Sequence, residues 1–410
     1  MITRDLDKIS AQYDTPFYVF YVDEFKRNYN ELRESYKSVY DKFEIAYSFK
    51  TNYMPAACET VLGMGGYAEV VSDTEYKMAK RYGFEASRTI VNGPGKWFGI
   101  EEMVSDGAIL MADNKYELDK IIECAAKADR EVKIGFRMNF SIGTDKISRF
   151  GFDPEDPETE KVINAAREAK NIRIIGLHYH LGGSRSVDAW KMRAVKMIEY
   201  SERLLKPEER KIIDLGSGMF GHVDPILAEQ FGQYIPSFKE YADVVAGEFA
   251  KHYEGVREED RPLLIVEPGS TVIANTMVYA TRVIAIKNIR GRSIAMVDGS
   301  VHQLGELGKK KQLPACVLHE GTGEESITDA DITGYTCLQD DIMYRSFPEE
   351  LKCGDVFVIG NAGAYTNVMK PPFIQTGCKI LVCNDNGEIK TAKRDETVDD
   401  FLSTYEEGIW

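Results

Sequence analysis

Five polar groups stand where apolar runs of this sequence stop. Lys50 follows "EIAYSF" (44–49), and "RMN" (137–139) lies toward the end of the run "VKIGFRMNF" (132–140). His178 and His180 lie at the end of "IRIIGLHYHL" (172–181). Gly216, Ser217 and Gly218 follow "KIIDL" (211–215), and Glu267 ends "LLIVE" (263–267). Their side chains suit one kind of chemistry. A lysine at low dielectric gives up its proton and forms a Schiff base with a carbonyl. A histidine stacks on a flat ring. Paired glycines let backbone N–H groups approach a phosphate closely. A carboxylate pairs with a protonated pyridine nitrogen. Lysine, ring stack, phosphate cradle and pyridinium partner together describe pyridoxal 5′-phosphate (PLP).

Each group also has an ordinary reading. Lys50 reads as one more exposed lysine, the histidines as core or loop residues, "GSG" as a turn and Glu267 as a cap or surface carboxylate. What sets these readings aside is their coincidence at five separate strand ends. The elements that must position them run from residue 44 to about residue 269. Eight short apolar runs, adding "YAEVV" (67–71), "TIVNG" (89–93) and "AILMAD" (108–113) to those above, alternate with stretches of helical spacing such as 73–84 and 187–205. Such alternation implies a parallel sheet buried on both faces. Eight units imply a closed (β/α)₈ barrel of the TIM type, whose chemistry sits at the C-terminal ends of its strands. An open doubly wound sheet is the alternative.

Beyond residue 276 the pattern turns all-β, with "IRGR" and "DNGE" as hairpin turns. The early run "TPFYVFYV" (15–22) is a strand that can join this C-terminal sheet. The expected organisation is therefore a barrel over 25–275 inserted into a β domain made of 1–24 and 276–410.

Composition narrows the function. The net charge of −15 argues against a general nucleic-acid binder, which needs basic surface to neutralise phosphates. No apolar stretch is long enough to span a membrane, and "MITRDLDKIS" lacks a signal-peptide core. Seven scattered cysteines fit neither a metal-type spacing nor a complete disulfide framework, so no metal is expected and a reducing cytoplasm is the simplest home.

The order and spacing of "YSFKTN" (47–52), "AEVVSDTEY" (68–76), "GLHYHLGGS" (176–184), "DLGSG" (214–218), "EPGS" (267–270), "TCLQDD" (336–341) and "GAYT" (363–366) resemble the fold-type III PLP enzymes. These include alanine racemase and the ornithine, arginine and diaminopimelate decarboxylases. The resemblance spans nearly the whole chain. It implies a barrel followed by a β domain, and a head-to-tail homodimer with shared active sites. It implies that Lys50 carries PLP as a Schiff base and that His180 stacks on the ring. Gly216, Ser217 and Gly218 are then expected at the phosphate, Glu267 at the ring nitrogen and Tyr365 also at the phosphate. Cys337 is expected to cross the dimer interface and protonate the carbanion. A glutamate at 267 makes the ring a strong electron sink, which favours decarboxylation over racemisation.

Three departures concern the substrate. Leu338 stands where the decarboxylases carry an acidic residue for a distal ammonium, although Asp340 and Asp341 are near. Ser270 replaces the arginine of "EPGR" in the diaminopimelate enzymes. Lys311 and Ala315, in "KKKQLPA" (309–315), align with a further arginine and tyrosine. A fourth departure puts Gly183 where the phosphate-side serine usually stands, with Ser184 next to it. Burying an ammonium beside Leu338 would cost several kcal/mol, so the expected substrate is not a simple diamine precursor. An unusual or conjugated amino acid fits better. The Lys309–Lys311 cluster reads either as a solvated loop or as a partner for an anionic group. Two further functions stay open from sequence: an amino-acid racemase or epimerase, and a non-catalytic PLP-binding protein.

Overall fold

The computed structural model describes residues 3–143, 147–369 and 372–406. The extreme ends of the expected β domain thus lie outside the described residues. The chain divides into two compact units: Met1–Lys26, His222–Gln233 and Val272–Trp410 form one, and Arg27–Gly221 with Tyr234–Thr271 the other. The segment His222–Gln233, inside the barrel by sequence position, groups with the β unit.

Strand β1 (Phe17–Tyr21) precedes the barrel in the chain and belongs to the β unit. The barrel strands follow as β2 (Phe43–Ser48), β3 (Tyr67–Ser72), β4 (Thr89–Gly95), β5 (Ile109–Ala112), β6 (Val132–Met138), β7 (Ile172–Tyr179), β8 (Ile212–Asp214) and β9 (Leu263–Val266). Each pairs in parallel with the next, and β2 closes on β9 with Phe43 opposite Leu264. The closed barrel, not the open sheet, is the fold. A cluster of Ala46, Ile90, Ile109, Met111, Ile175, Ile212 and Ile265 draws on six of the strands. Burial of such side chains contributes roughly 1.5–3 kcal/mol each. Gly176 permits a close approach of β7 to β8, because a Cβ there would lie 1.9 Å from the Ile212 carbonyl oxygen.

The helices between strands begin where the sequence supplies caps. Ser72 accepts the Glu75 N–H, Asn114 the Glu117 N–H and Ser186 the Ala189 N–H. Among the described residues no helix is long and apolar enough to cross a membrane.

The β unit holds a nine-stranded sheet. Its later strands are β10 (Met277–Ile289), β11 (Arg292–Val297), β12 (Ala315–Leu318), β13 (Ala330–Thr333), β14 (Ile342–Phe347), β15 (Val356–Ile359), β16 (Lys379–Cys383) and β17 (Ile389–Lys393). As the early apolar run suggests, β1 enters this sheet, antiparallel to β10 and parallel to β16. Its five residues are all buried, because Phe17, Val19 and Tyr21 pack on Val278, Val356, Val358 and Leu381. The "IRGR" turn joins β10 to β11 with both Arg290 (φ 54°) and Gly291 (φ 83°) left-handed, as a two-residue hairpin turn requires.

Candidate active site

Lys50 sits in a short 3₁₀ turn, Phe49–Thr51, directly after β2. Its Nζ donates to Ser48 Oγ at 2.8 Å and to the two carboxylate oxygens of Glu69 at 2.5 and 2.8 Å. Ser48 Oγ donates to the same carboxylate. Glu69 lies inside β3 and is fully buried, while the Lys50 side chain remains 32% exposed and open to a ligand. The ammonium is thus poised on a buried carboxylate at the strand ends.

Across the mouth, the backbone N–H of Glu267 donates to the Gly216 carbonyl at 2.9 Å, which joins the ends of β8 and β9. The Glu267 carboxylate accepts from Asn92 Nδ2 and lies 3.3 Å from His178 Nε2. Asp214 is buried beside it. Burial raises both carboxyl groups, Asp214 strongly; the Glu267 charge raises Asp214 further, whereas the Lys50 charge and the side-chain contact with Asp214 hold Glu267 back. Burial pushes His178 well below the usual histidine range, and the nearby Arg137 charge adds to this. Its ring is neutral, and Nδ1 has no hydrogen-bond partner among the described residues.

His180 is neutral for the same reason, burial first and then the charge of Lys50. Its Nδ1 accepts the Ser217 N–H at 3.2 Å, and its carbonyl accepts from Arg137 Nη2 at 3.3 Å. Ring and backbone are both fixed. Gly216 adopts φ +61°, and a Cβ there would come 2.6 Å from the Tyr179 carbonyl oxygen and 2.8 Å from the His180 side chain. Only glycine fits beneath the histidine ring. The Gly216 N–H is used by Asp214 Oδ1 at 2.9 Å and the Ser217 N–H by His180. In this loop the N–H of Gly218 alone forms no hydrogen bond among the described residues. The position a Gly218 Cβ would take is 4.0 Å from Gly182, and nearby in sequence Ser184 Oγ is buried without a partner. Ser217 Oγ faces Thr271 Oγ1 at 3.4 Å. Ser270 opens the short helix Ser270–Ile273 after "EPG".

Lys50, His180, Gly216–Gly218 and Glu267 therefore meet within one unit. Sequence reasoning missed three residues that hold them, Glu69, Asn92 and Arg193, and singled out Arg137 within "RMN" without giving it a partner. Each is a polar residue on an otherwise apolar strand or helix face. That signal is visible in sequence, but its partner is not.

The remaining expected residues belong to the β unit. Tyr365 is held at φ +55°, a conformation costing about 1 kcal/mol in a non-glycine residue. Gly305 allows it, since a Cβ there would lie 2.3 Å from the Tyr365 carbonyl oxygen. Cys337, Leu338 and Asp340 are exposed on the loop between β13 and β14. The desolvation cost expected of a buried Leu338 therefore does not arise within the chain itself. Asp341 is buried and committed to structure: it accepts from Ser300 Oγ, the Val301 N–H, and both the N–H and Oγ1 of Thr336. Lys311 Nζ donates to the Gln230 carbonyl at 2.6 Å, and Lys309 and Lys310 pair with Glu306. A cavity of about 440 Å³ in this unit is lined by Lys309, Lys310, Lys311 and Arg345, with Asp340 as its acidic member.

Residues 22–274 match the model of the pyridoxal-dependent decarboxylase family, pyridoxal binding domain. The chain is similar, at 25% identity, to a protein of Oryza sativa subsp. japonica named probable diaminopimelate decarboxylase, chloroplastic; 98% of this chain and 81% of that one are covered. It is 23% identical to the L-glutamyl-[BtrI acyl-carrier protein] decarboxylase of Niallia circulans, over 98% of this chain and 96% of the other. The crystal structure of diaminopimelate decarboxylase from M. jannaschii superposes with a TM-score of 0.84 at 22% identity, covering 97% and 94% of the two chains. At that identity the likeness is one of fold. The family match covers more than half of the chain and agrees with the barrel just described. The protein thus belongs to the fold-type III pyridoxal-dependent decarboxylases and is a PLP-dependent carboxy-lyase acting on an amino acid.

Proposed function

We propose that Lys50 is the lysine that binds PLP and that Glu267 controls the ring nitrogen. The observation carrying this reading is the pair of opposed clusters at one barrel mouth, Lys50–Glu69–Ser48 and Asn92–His178–Glu267. The residues fit the cofactor. Glu267 is a buried carboxylate held by Asn92 beside Asp214, His180 is a neutral ring locked in place, and Gly218 N–H and Ser184 Oγ are donors left over for a phosphate. When bound, PLP supplies the electron sink that takes up the pair left by departing carbon dioxide.

The chain's own residues do the rest. Glu69 and Ser48 orient the Lys50 amine by accepting its hydrogen bonds. Glu267, steadied by Asn92, keeps a proton at the ring nitrogen. His180 covers one face of the ring, and Arg137 fixes His180 through its carbonyl. Tyr365 adds a phosphate contact. Cys337 Sγ returns a proton to the α-carbon after carbon dioxide leaves. The β-unit residues act in a homodimer whose subunits share sites. Reduction with borohydride tests the core of this reading: the cofactor label is expected on Lys50, and recovery on another lysine would overturn it.

The substrate we infer is an amino acid whose distal end carries no free ammonium, such as a side-chain conjugate. Leu338 and the basic cavity at Lys309–Lys311 and Arg345 support this, since neither offers an anionic partner beyond Asp340. The Niallia circulans relative is named for a carrier-protein conjugate. A second reading, diaminopimelate, is favoured by the relatives bearing that name. Carbon dioxide release measured with diaminopimelate, lysine, ornithine and glutamyl conjugates separates the two. Turnover confined to diaminopimelate would sink the first.

A further inference from the structure

Arg193 lies on the helix Val187–Leu204 and is completely buried. Its Nη1 donates to the carbonyls of Leu215 at 2.9 Å and Ser217 at 3.1 Å, and its Nη2 to the carbonyl of Leu181 at 3.2 Å. The guanidinium sits 4.0 Å from the centre of the Trp190 ring and 5.2 Å from that of Tyr179. Its Nε has no hydrogen-bond partner, and no carboxylate of the described residues pairs with it. Burial lowers it to about 10, which leaves it cationic at neutral pH. A buried cation without an anion is costly, and proteins usually pair such charges.

The three carbonyls that Arg193 holds belong to two separate loops, 181–184 and 215–218. The two loops meet where Gly218 approaches Leu181 and Gly182. With three of their carbonyls turned to Arg193, these loops keep donors to spare, among them the Gly218 N–H and Ser184 Oγ. Two loops with spare donors, pinned by one uncompensated buried cation, suit an anion of more than one charge. A phosphate monoester such as that of PLP carries about two negative charges at neutral pH. Ser270, which follows "EPG", adds no charge here.

We propose that Arg193 is the positioning residue for the cofactor phosphate: it clamps loops 181–184 and 215–218 together and supplies the buried counter-charge. This rests on the reading that these loops hold the phosphate. Arg193 touches neither substrate nor the reacting atoms, so its signature is selective for the phosphate.

The test compares the apoprotein's affinity for PLP with its affinity for pyridoxal, which lacks the phosphate, both read by absorbance. Arg193→Met is expected to weaken PLP binding by roughly 100-fold or more while leaving pyridoxal binding within about threefold. Arg193→Lys keeps the charge but cannot reach both loops at once. It is expected to lower the preference for PLP by about tenfold. Equal loss of both ligands would reduce Arg193 to general scaffolding and overturn the proposal, as would an unchanged preference. Should Arg193→Met fail to fold, the Arg193→Lys ratio decides by the same rule. The wild-type control keeps the two levels apart. If wild type itself does not prefer PLP to pyridoxal, the phosphate placement is wrong. If it does and the variants keep that preference, only the role of Arg193 falls.

Discussion

At the barrel mouth, ionisable groups are buried against one another. Glu69, Asp113, Arg137, His178, Asp214 and Glu267 are all buried, and most are tied by hydrogen bonds to a neighbouring strand end. In the β unit, the loop carrying Cys337 leaves Cys337, Leu338 and Asp340 exposed, and its buried carboxylate, Asp341, is consumed in holding the loop to Ser300 and Val301. The contrast separates two tasks. Cofactor chemistry needs fixed protonation states, and desolvation within a closed barrel supplies them. On the proposed function, substrate selection falls to groups on a surface loop, which can change without disturbing a core.

The sharpest way to break this comparison is to remove the barrel's lysine. Lys50→Ala is expected to lower carbon dioxide release by about 10⁴-fold or more, with loss of the absorbance of protein-bound cofactor. Glu267→Gln should retain bound PLP yet slow turnover by roughly 10²–10³-fold, because the amide cannot keep a proton at the ring nitrogen. Unchanged turnover would remove Glu267 from its role.

On the β-unit side, Cys337→Ala should slow correct product formation by about 10–100-fold. Mixed with inactive Lys50→Ala protein under conditions of subunit exchange, it should regain activity, since one site of the heterodimer then has both residues intact. No recovery would place Lys50 and Cys337 in the same chain.

Two stability measurements sharpen the contrast further. Lys96 is buried, with its Nζ 2.8 Å from Glu117 and donating to the Gly93 carbonyl. Burial lowers the lysine and raises the glutamate, each opposed by its partner's charge. Lys96→Met strands the carboxylate and should cost about 3–5 kcal/mol in urea unfolding. In the β unit, Lys310→Ala, on an exposed pair with Glu306, should cost less than about 0.5 kcal/mol.

The smallest barrel effect is one of pH. Burial raises Glu75 from 4.5 to about 7, against the pull of its hydrogen bond from the Val71 N–H. The folded state therefore binds more protons than the unfolded chain between these values, and stability falls as pH rises through that window. The full cost, up to about 3 kcal/mol, is reached above neutrality. Glu75→Gln should accordingly raise the melting temperature at pH 8 and leave it unchanged near pH 4. An equal gain at both values would show that the carboxylate is not the cause.

By itself the sequence determined the element order and which polar groups stand at the ends of the barrel strands. Parallel strands buried on both faces must be apolar runs, so all eight barrel strands are legible to within two residues of their observed ends. A polar residue at the end of such a run stands out because burial would otherwise exclude it, which is how Lys50, His180 and Glu267 are found. Strand β12 is half-buried throughout and β14 mixes buried with exposed residues, so neither left a continuous apolar run to read. Only the tertiary structure decided which groups are partners. That Glu69 meets Lys50, that two of three N–H groups in the "GSG" loop are already used, and that Asp341 is structural follow from contacts between distant segments. Arg193 is the clearest case. Three residues past Trp190 on a helix it reads as an ordinary charge, and closing the barrel puts it, fully desolvated, against the carbonyls of Leu181, Leu215 and Ser217. Hydrogen-bond partners and dielectric are properties of the packed state, and no local pattern of residues encodes them.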